Sequence, residues 1–474
     1  MTRRGILFSS GAFVVSALFL GIACSDAARP EFGTMPSADA APEASLPPQA
    51  AEDASDTAPR DAGAAYDASD EPVACPPSGP CAVQIVAGYS HFCARLRDGS
   101  VWCWGDPVAL GGEPPPKDGG SADAGVPFGS KPAAMPVSDA AQISASVFTT
   151  CARTTAGVVY CWGSNSTAAL GTGDNDSESH APTPVDLDGG TVARVDVGYG
   201  AVFARLEAGP LWSWGWNGPA LGRPGIPSSS SGGPYFVAPG GPVDERGFVF
   251  SEVRMHGNVA IAATPEKKLV SWGGSTFDVG PVLGRETSIA PPAAAAVIPT
   301  LTDVTEVAMA DNHACAIAGG HVACWGGYVT SHSAPTPAPL CNGDGQINRV
   351  PQQAPTLGLA HPQMLALARD RTCVRMTDGT IQCCGKDAYG ELGEGVVDHP
   401  DGGVIFEPSF VRAKAFDGYA VALATATSTT CAITKTGVVQ CWGGNAKGEL
   451  GVGTRDALAH PVPMTVSFDD KGAP

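Results

Sequence analysis

The sequence predicts an all-β protein, a seven-bladed β-propeller preceded by a disordered N-terminal tether. Three observations carry that expectation. A phrase ending in Trp-Gly, once varied to Cys-Gly, recurs seven times at near-constant spacing. Each copy sets two short apolar runs around a tight turn. The composition is rich in Gly (60) and Pro (42), with only 16% charged residues, which suits many short strands over long surface helices.

The chain begins with a targeting segment. Arg3 and Arg4 precede a largely apolar run, Ile6 to Ile22, that leads into Ala23-Cys24. A short positive region, an apolar stretch and small residues at a cleavage point are the layout of a secretory signal. A small residue followed by Cys resembles a bacterial lipoprotein signal, in which Cys24 becomes the lipid-modified first residue. Gly21 departs from that pattern, which usually has Leu or Val there. Ordinary cleavage nearby and retention as a membrane anchor are the rivals; at about 17 residues the run is at the short limit for a span.

Residues 1–23 are therefore read as signal, 24–75 as an Ala/Pro/Asp-rich tether and 82–474 as the propeller. The tether has too few large apolar residues to offset the entropy of ordering. Its acidic residues repel one another and extend it. The expected location is the cell envelope, lipid-anchored on the periplasmic face of a membrane or on the outer surface.

The repeat dictates the rest. Its first copy runs from Val86 to Gly105, V-A-G-Y-S-H-F-C-A-R-L-R-D-G-S-V-W-C-W-G. The copies end at Trp104, Trp162, Trp214, Trp272, Trp325, Cys384 and Trp442, in steps of 58, 52, 58, 53, 59 and 58 residues. In the first copy Cys93–Leu96 is a strand, Asp98-Gly99 a hairpin turn that uses the positive φ open to Gly, and Val101–Trp104 the returning strand. A hairpin alone is marginal in water. Radial stacking buries both faces of each small sheet and makes a propeller. Most copies add Leu-Gly a few residues later, at Leu110, Leu170, Leu221, Leu283, Leu392 and Leu450; the fifth lacks it.

The phrase W-G-x-N-x-x-G-x-L-G, preceded by such a hairpin, resembles the regulator-of-chromosome-condensation repeat over roughly Ala82 to the C-terminus. The resemblance implies seven blades. The fifth copy and the missing Trp of the sixth depart from it. The family's namesake exchanges nucleotide on a small GTPase, but no exchange-specific segment matches here, and a shared fold does not carry an activity. For ring closure, the segment from Pro461 to Phe468 is expected to pair as a strand into the first blade, whose start lacks the strand pattern that precedes later hairpins.

The chain has 15 cysteines, an even number once Cys24 is set aside. Ten flank hairpin turns, as Cys93/Cys103, Cys151/Cys161, Cys315/Cys324, Cys373/Cys383 and Cys431/Cys441. Facing residues of a hairpin lie about 4.5–5.5 Å apart at Cα, within disulfide range. In the third and fourth copies the same places hold Phe203/Ser213 and Ile261/Ser271, so the sulfurs are lost in pairs. Pairing accounts for that coupling better than buried free thiols or zinc do. Cys75/Cys81 closes a small loop before the first blade, which leaves Cys341/Cys384.

No catalytic motif is present: H-E-x-x-H and G-x-S-x-G are absent, and Gly385-Lys386 is followed by Asp387. Asn342–Ile347 has the middle of a calcium loop, but Leu340 and Pro351 stand where end ligands belong, so a polar turn is the reading. No cofactor or metal is expected. A net charge of -19 repels phosphate backbones and excludes nucleic acid as a partner.

Function is sought in the residues that differ between copies. Two places before the first Cys position stand His91, Thr149, Ala201, Val259, His313, Arg371 and Thr429. Four places before it stand Tyr89, Val147, Tyr199, Gly257, Asp311, Arg369 and Thr427. Trp216 and Tyr328 add aromatics after the Trp-Gly ends. The candidate binding set is Tyr89, His91, Tyr199, Trp216, His313, Tyr328, Arg369 and Arg371. The expected function is a non-enzymatic, surface-tethered module, a monomer, that binds a protein or glycan. The alternatives are an envelope hydrolase or lyase with its site at the channel, and a purely structural envelope protein.

Overall fold

The computed structural model describes residues 71–468 apart from 113–126, 175, 177, 217, 224–236, 274–279, 312, 328–338 and 398–404. Cys24 and Tyr328 lie outside the described residues.

Seven four-stranded antiparallel sheets follow one another along the chain. They span 82–134, 140–184, 192–242, 252–297, 304–353, 362–412 and 420–465. The first strands, Ala82–Ala87, Ala140–Ser146, Val192–Gly198, Glu252–His256, Val304–Ala310, Pro362–Ala368 and Ala420–Thr425, line a central channel. One face of the ring carries the loops after the first and third strands. The other carries the hairpin turns and the links between blades.

The Trp-Gly indoles are buried in the blades, and five of the six also donate their N–H to a carbonyl of the preceding blade; the Trp162 N–H of blade 2 is buried without a hydrogen-bond partner among the described residues. Trp104 bonds Glu449, Trp214 Ala169, Trp272 Ala220, Trp325 Val282 and Trp442 Glu391, at 2.8–3.1 Å. The Leu-Gly of one blade meets the Trp of the next. A Cβ on Gly171, Gly222, Gly284, Gly393 or Gly451 would lie 2.6–3.1 Å from that indole nitrogen, and each of these glycines has φ of 67–79°. Space and backbone both demand Gly there.

The fifth copy does have an equivalent. Leu340 is buried, and Cys341 follows it with φ 55°. It stands where other blades place Gly, and the next blade offers Cys384 where others place Trp. The two form a disulfide, Cα atoms 5.5 Å apart. The two departures from the repeat are thus one exchange, a Gly–Trp contact for a covalent link between blades 5 and 6.

The ten hairpin cysteines form five disulfides, each between direct register partners: Cys93–Cys103, Cys151–Cys161, Cys315–Cys324, Cys373–Cys383 and Cys431–Cys441. The Cα–Cα distance is 4.1 Å in every one. That is shorter than the 4.5–5.5 Å expected of hairpin partners, because the bridge joins the two strands at a close pair. Cys75–Cys81 closes the loop before the first blade. In blades 3 and 4, Phe203 faces Ser213 and Ile261 faces Ser271 in the same register. An arginine follows Leu-Gly in these two blades only, Arg223 and Arg285. Arg223 donates to the Ser213 carbonyl at 3.4 Å. Arg285 is buried and donates to Ser271 Oγ and to the carbonyls of Ser271, Ala290, Pro291 and Ala294.

The expected pairing of the C-terminal strand with the first blade is corrected. The strand Asp456–Thr465 pairs with Val439–Asn445 inside blade 7, and blade 1 supplies its own outer strand, Ala133–Ala134. The strand pattern that blade 1 lacks at its start belongs at the end of every blade, so no exchange is needed. Side chains close the ring instead. Phe468 packs edge-on to Trp102 and Trp104, and the Ala82 N–H donates to the Gly437 carbonyl.

Candidate functional site

The channel encloses about 790 Å³ and is built in rings, because equivalent strand positions face one another around the axis. Nearest the hairpin-turn face the ring is Gln84, Gln142, Arg194, Glu252, Glu306, Met364 and Ala422. An apolar collar follows, with Ala87, Ala145, Val197, Met309 and Leu367. The third ring, at the loop face, holds the residues four places before the first Cys position.

The polar groups of the first rings are largely engaged with protein. Gln84 bonds both N–H and C=O of Ile143, and Gln142 does the same to Val195, at 2.8–3.0 Å. Asp196 accepts from the Val253 N–H. Arg194 and Arg254 each reach both Asp196 and Glu252, at 2.6–3.2 Å. These contacts tie the first strands of blades 1 to 4 in succession and compensate charges that would be costly alone.

The third ring closes the mouth. Tyr89 of blade 1 donates across the axis to Asp311 Oδ1 of blade 5 at 2.9 Å. His256 Nε2 of blade 4 lies 3.0 Å from the same oxygen. Arg369 of blade 6 approaches Asp311 Oδ2 at 3.6 Å with a side chain 54% exposed. Tyr199 of blade 3 packs on the His256 ring at 4.7 Å and beside Trp216 at 6.2 Å. Phe148 sits edge-on to Tyr89. Burial raises the Asp311 pKa, but His256, Tyr89 and Arg369 more than reverse this and hold it below the usual carboxylate range. Burial, and then the Asp311 charge, push the Tyr89 phenol well up, so it stays a hydrogen-bond donor.

Tyr89, Tyr199, Trp216 and Arg369 are thus brought together at one mouth. His91, His313 and Arg371 are not: all three are fully buried between blades and are corrected to structural residues. His91 and His313 each contact the hydroxyl of a Thr in the following blade, Thr150 and Thr372, at 2.8 and 2.9 Å. Arg371 donates to the carbonyls of Ala426 and Thr429 and lies 3.5 Å from Glu391. A place two residues before the Cys lies inside the second strand and points into the seam. The hairpin cysteines are structural as well. Cys93, Cys151, Cys315, Cys373 and Cys431 on the second strands, and Cys103, Cys161, Cys324, Cys383 and Cys441 on the third, have no exposed surface. They clasp their blades and offer nothing to a ligand. His256 was missed, because it stands five places before its hairpin position, where the other copies hold small residues. Among the described residues no cluster of three or more His, Cys, Asp or Glu could hold a metal.

A ring of short, Trp-sealed, mostly disulfide-clasped sheets defines a repeat propeller with a closed axle and a composite mouth. Repeat models described as regulator of chromosome condensation repeats match residues 82–108, 140–167 and 156–204. The first three blades contain matches to repeats of that type, and the remaining blades share their frame, so the propeller is built of repeats like those of that family. It is 32% identical over 145 residues to the RCC1 domain-containing protein RUG3, mitochondrial, of Arabidopsis thaliana, covering 29% of this chain and only 31% of that protein. It is 25% identical over 318 residues to the Ultraviolet-B receptor UVR8 of the same plant, covering 66% and 67%. Prp20p of Saccharomyces cerevisiae superposes with a TM-score of 0.60 at 16% identity, over 81% of this chain and 87% of that one. Human WBSCR16 gives 0.57 at 17%, over 72% and 85%.

Proposed function

We propose that the propeller is a non-enzymatic protein-binding module whose contact surface is the loop face around Tyr89, Tyr199, Trp216, Asp311 and Arg369. The carrying observation is that blades 1, 3, 4, 5 and 6 each send an aromatic or charged side chain, from places that vary among the copies, into one cluster at the mouth. Aromatic and arginine side chains of this kind are frequent anchors of protein interfaces. The alternative of an enzyme at the channel loses support, since the carboxylates inside are engaged with arginines and strand edges. Prp20p, which shares the fold, has described binding to Gsp1p and histones, and a Prp20 complex with Kap60 has been solved. Tethering at the envelope through a lipid on Cys24 belongs to the same reading and is supported by the signal-like N-terminus alone.

The test is affinity capture from envelope extracts with the full chain, against Tyr199→Ala, Trp216→Ala and Arg369→Ala. These variants are expected to lose about tenfold or more in retained partner. Equal capture by all three would move the surface elsewhere. Radiolabelled fatty acid incorporated into the wild type but not into Cys24→Ala would support the anchor; no incorporation into either would remove it.

A further inference from the structure

Four blades carry an arginine two residues after the first hairpin position: Arg95, Arg153, Arg205 and Arg375. The repeat places one cation in four equivalent settings. In blade 3 it is answered, since Arg205 forks onto the Glu245 carboxylate at 2.5 and 3.0 Å and donates to the Phe250 carbonyl. In blade 6, Arg375 lies in the field of Glu71. In blades 1 and 2, among the described residues, no carboxylate forms an ion pair with Arg95 or Arg153, in contrast to Arg205.

What they have instead is little. Arg95 Nε donates to Gln84 Oε1 at 3.3 Å, an oxygen already taken by the Ile143 N–H. Arg153 donates one bond to the Thr154 carbonyl at 3.3 Å, and its Nε is buried with no hydrogen-bond partner. Both side chains are half-buried. Burial lowers the Arg95 pKa, and the neighbouring Arg153 charge lowers it further. The two arginines stand on adjoining blades joined by Gln84, which accepts from Arg95 and bonds Ile143, the neighbour of the Arg153 register partner Gln142; two such cations are costly unless an anion joins them. Arg95 opens on the channel beside Glu71–Val73, at the mouth opposite the aromatic cluster.

We propose that Arg95 and Arg153 form an anion site that takes a carboxylate, as Arg205 takes Glu245. The guanidinium fork matches a carboxylate in two parallel hydrogen bonds. A small dicarboxylate has one such group for each arginine. The site is separate from the protein-binding mouth and does not depend on it.

The probe is succinate, titrated into the full chain at constant ionic strength against chloride, with the melting temperature as readout. A saturable rise of about 3 °C is expected at a hundredfold excess over Kd. It should vanish in Arg95→Gln and in Arg153→Gln. Should Arg95→Gln fail to fold, Arg153→Gln and the charge-retaining Arg95→Lys carry the comparison, the first losing the rise and the second weakening it. No rise beyond that with chloride, or an unchanged rise in Arg153→Gln, overturns the site.

Discussion

His91 and His313 occupy one repeat position in blades 1 and 5, and both are sealed in a seam against a threonine hydroxyl. Burial pushes the first imidazole down to about 4 and the second down to about 3. A depressed histidine is neutral in the folded chain and protonated in the unfolded chain between its folded value and about 6.5. The unfolded state binds more protons there, so stability rises with pH. It is complete above about 6.5 and is lost progressively as pH falls toward the folded values. At pH 4 each histidine should account for roughly 3 kcal/mol of acid destabilisation. Chemical denaturation at pH 7 and pH 4 should show the wild type losing more than the His91→Gln/His313→Gln double variant. Equal losses would mean that the acid sensitivity lies in carboxylates. The burial of these residues was not legible in the sequence, where a variable polar residue near a turn reads as surface. Tyr89 lies in the loop and faces the mouth, whereas His91, two residues on, begins the second strand and is sealed in the seam.

At the scale of the element, the hairpin clasp exists in two chemistries. Five blades use a disulfide. Blades 3 and 4 use serine with an arginine from the loop after Leu-Gly. Removing Arg285 would leave four carbonyls and a hydroxyl short of a donor, so Arg285→Met should cost about 2–4 kcal/mol by denaturant unfolding. A loss under about 0.5 kcal/mol would reduce the clasp to a coincidence. The converse change is also testable. Ile261 and Ser271 face each other as Cys93 and Cys103 do, so Ile261→Cys/Ser271→Cys is expected to be oxidised in air to a bridge, read as a mass two hydrogen atoms lighter. The pairing of Cys151 with Cys161, Cys315 with Cys324, Cys373 with Cys383 and Cys431 with Cys441 was legible because sulfurs are absent in pairs from the other blades. The arginine was not, because its partners are backbone carbonyls that leave no mark in the sequence.

For the whole molecule, the seam between blades 7 and 1 is the one the chain cannot make by running on. It is sealed by Phe468 against Trp102 and Trp104, by Val466, and by the Trp104 bond to Glu449. Ending the chain at Pro461 removes part of the outer strand of blade 7 together with Val466 and Phe468. The melting temperature should fall by several degrees. Phe468→Ala in the full chain should reproduce much of that fall, with an expected cost of about 3 kcal/mol. An unchanged melt in both would place closure elsewhere. The number of blades, the hairpin frame and the cysteine clasps follow from the sequence alone, because they rest on local periodicity that recurs seven times. Tertiary structure decided what a single copy cannot specify. Cys341 and Cys384 form one seam only when blades 5 and 6 adjoin. Tyr89 and Asp311, 222 residues apart, meet only when the ring closes, since the channel mouth belongs to no single blade.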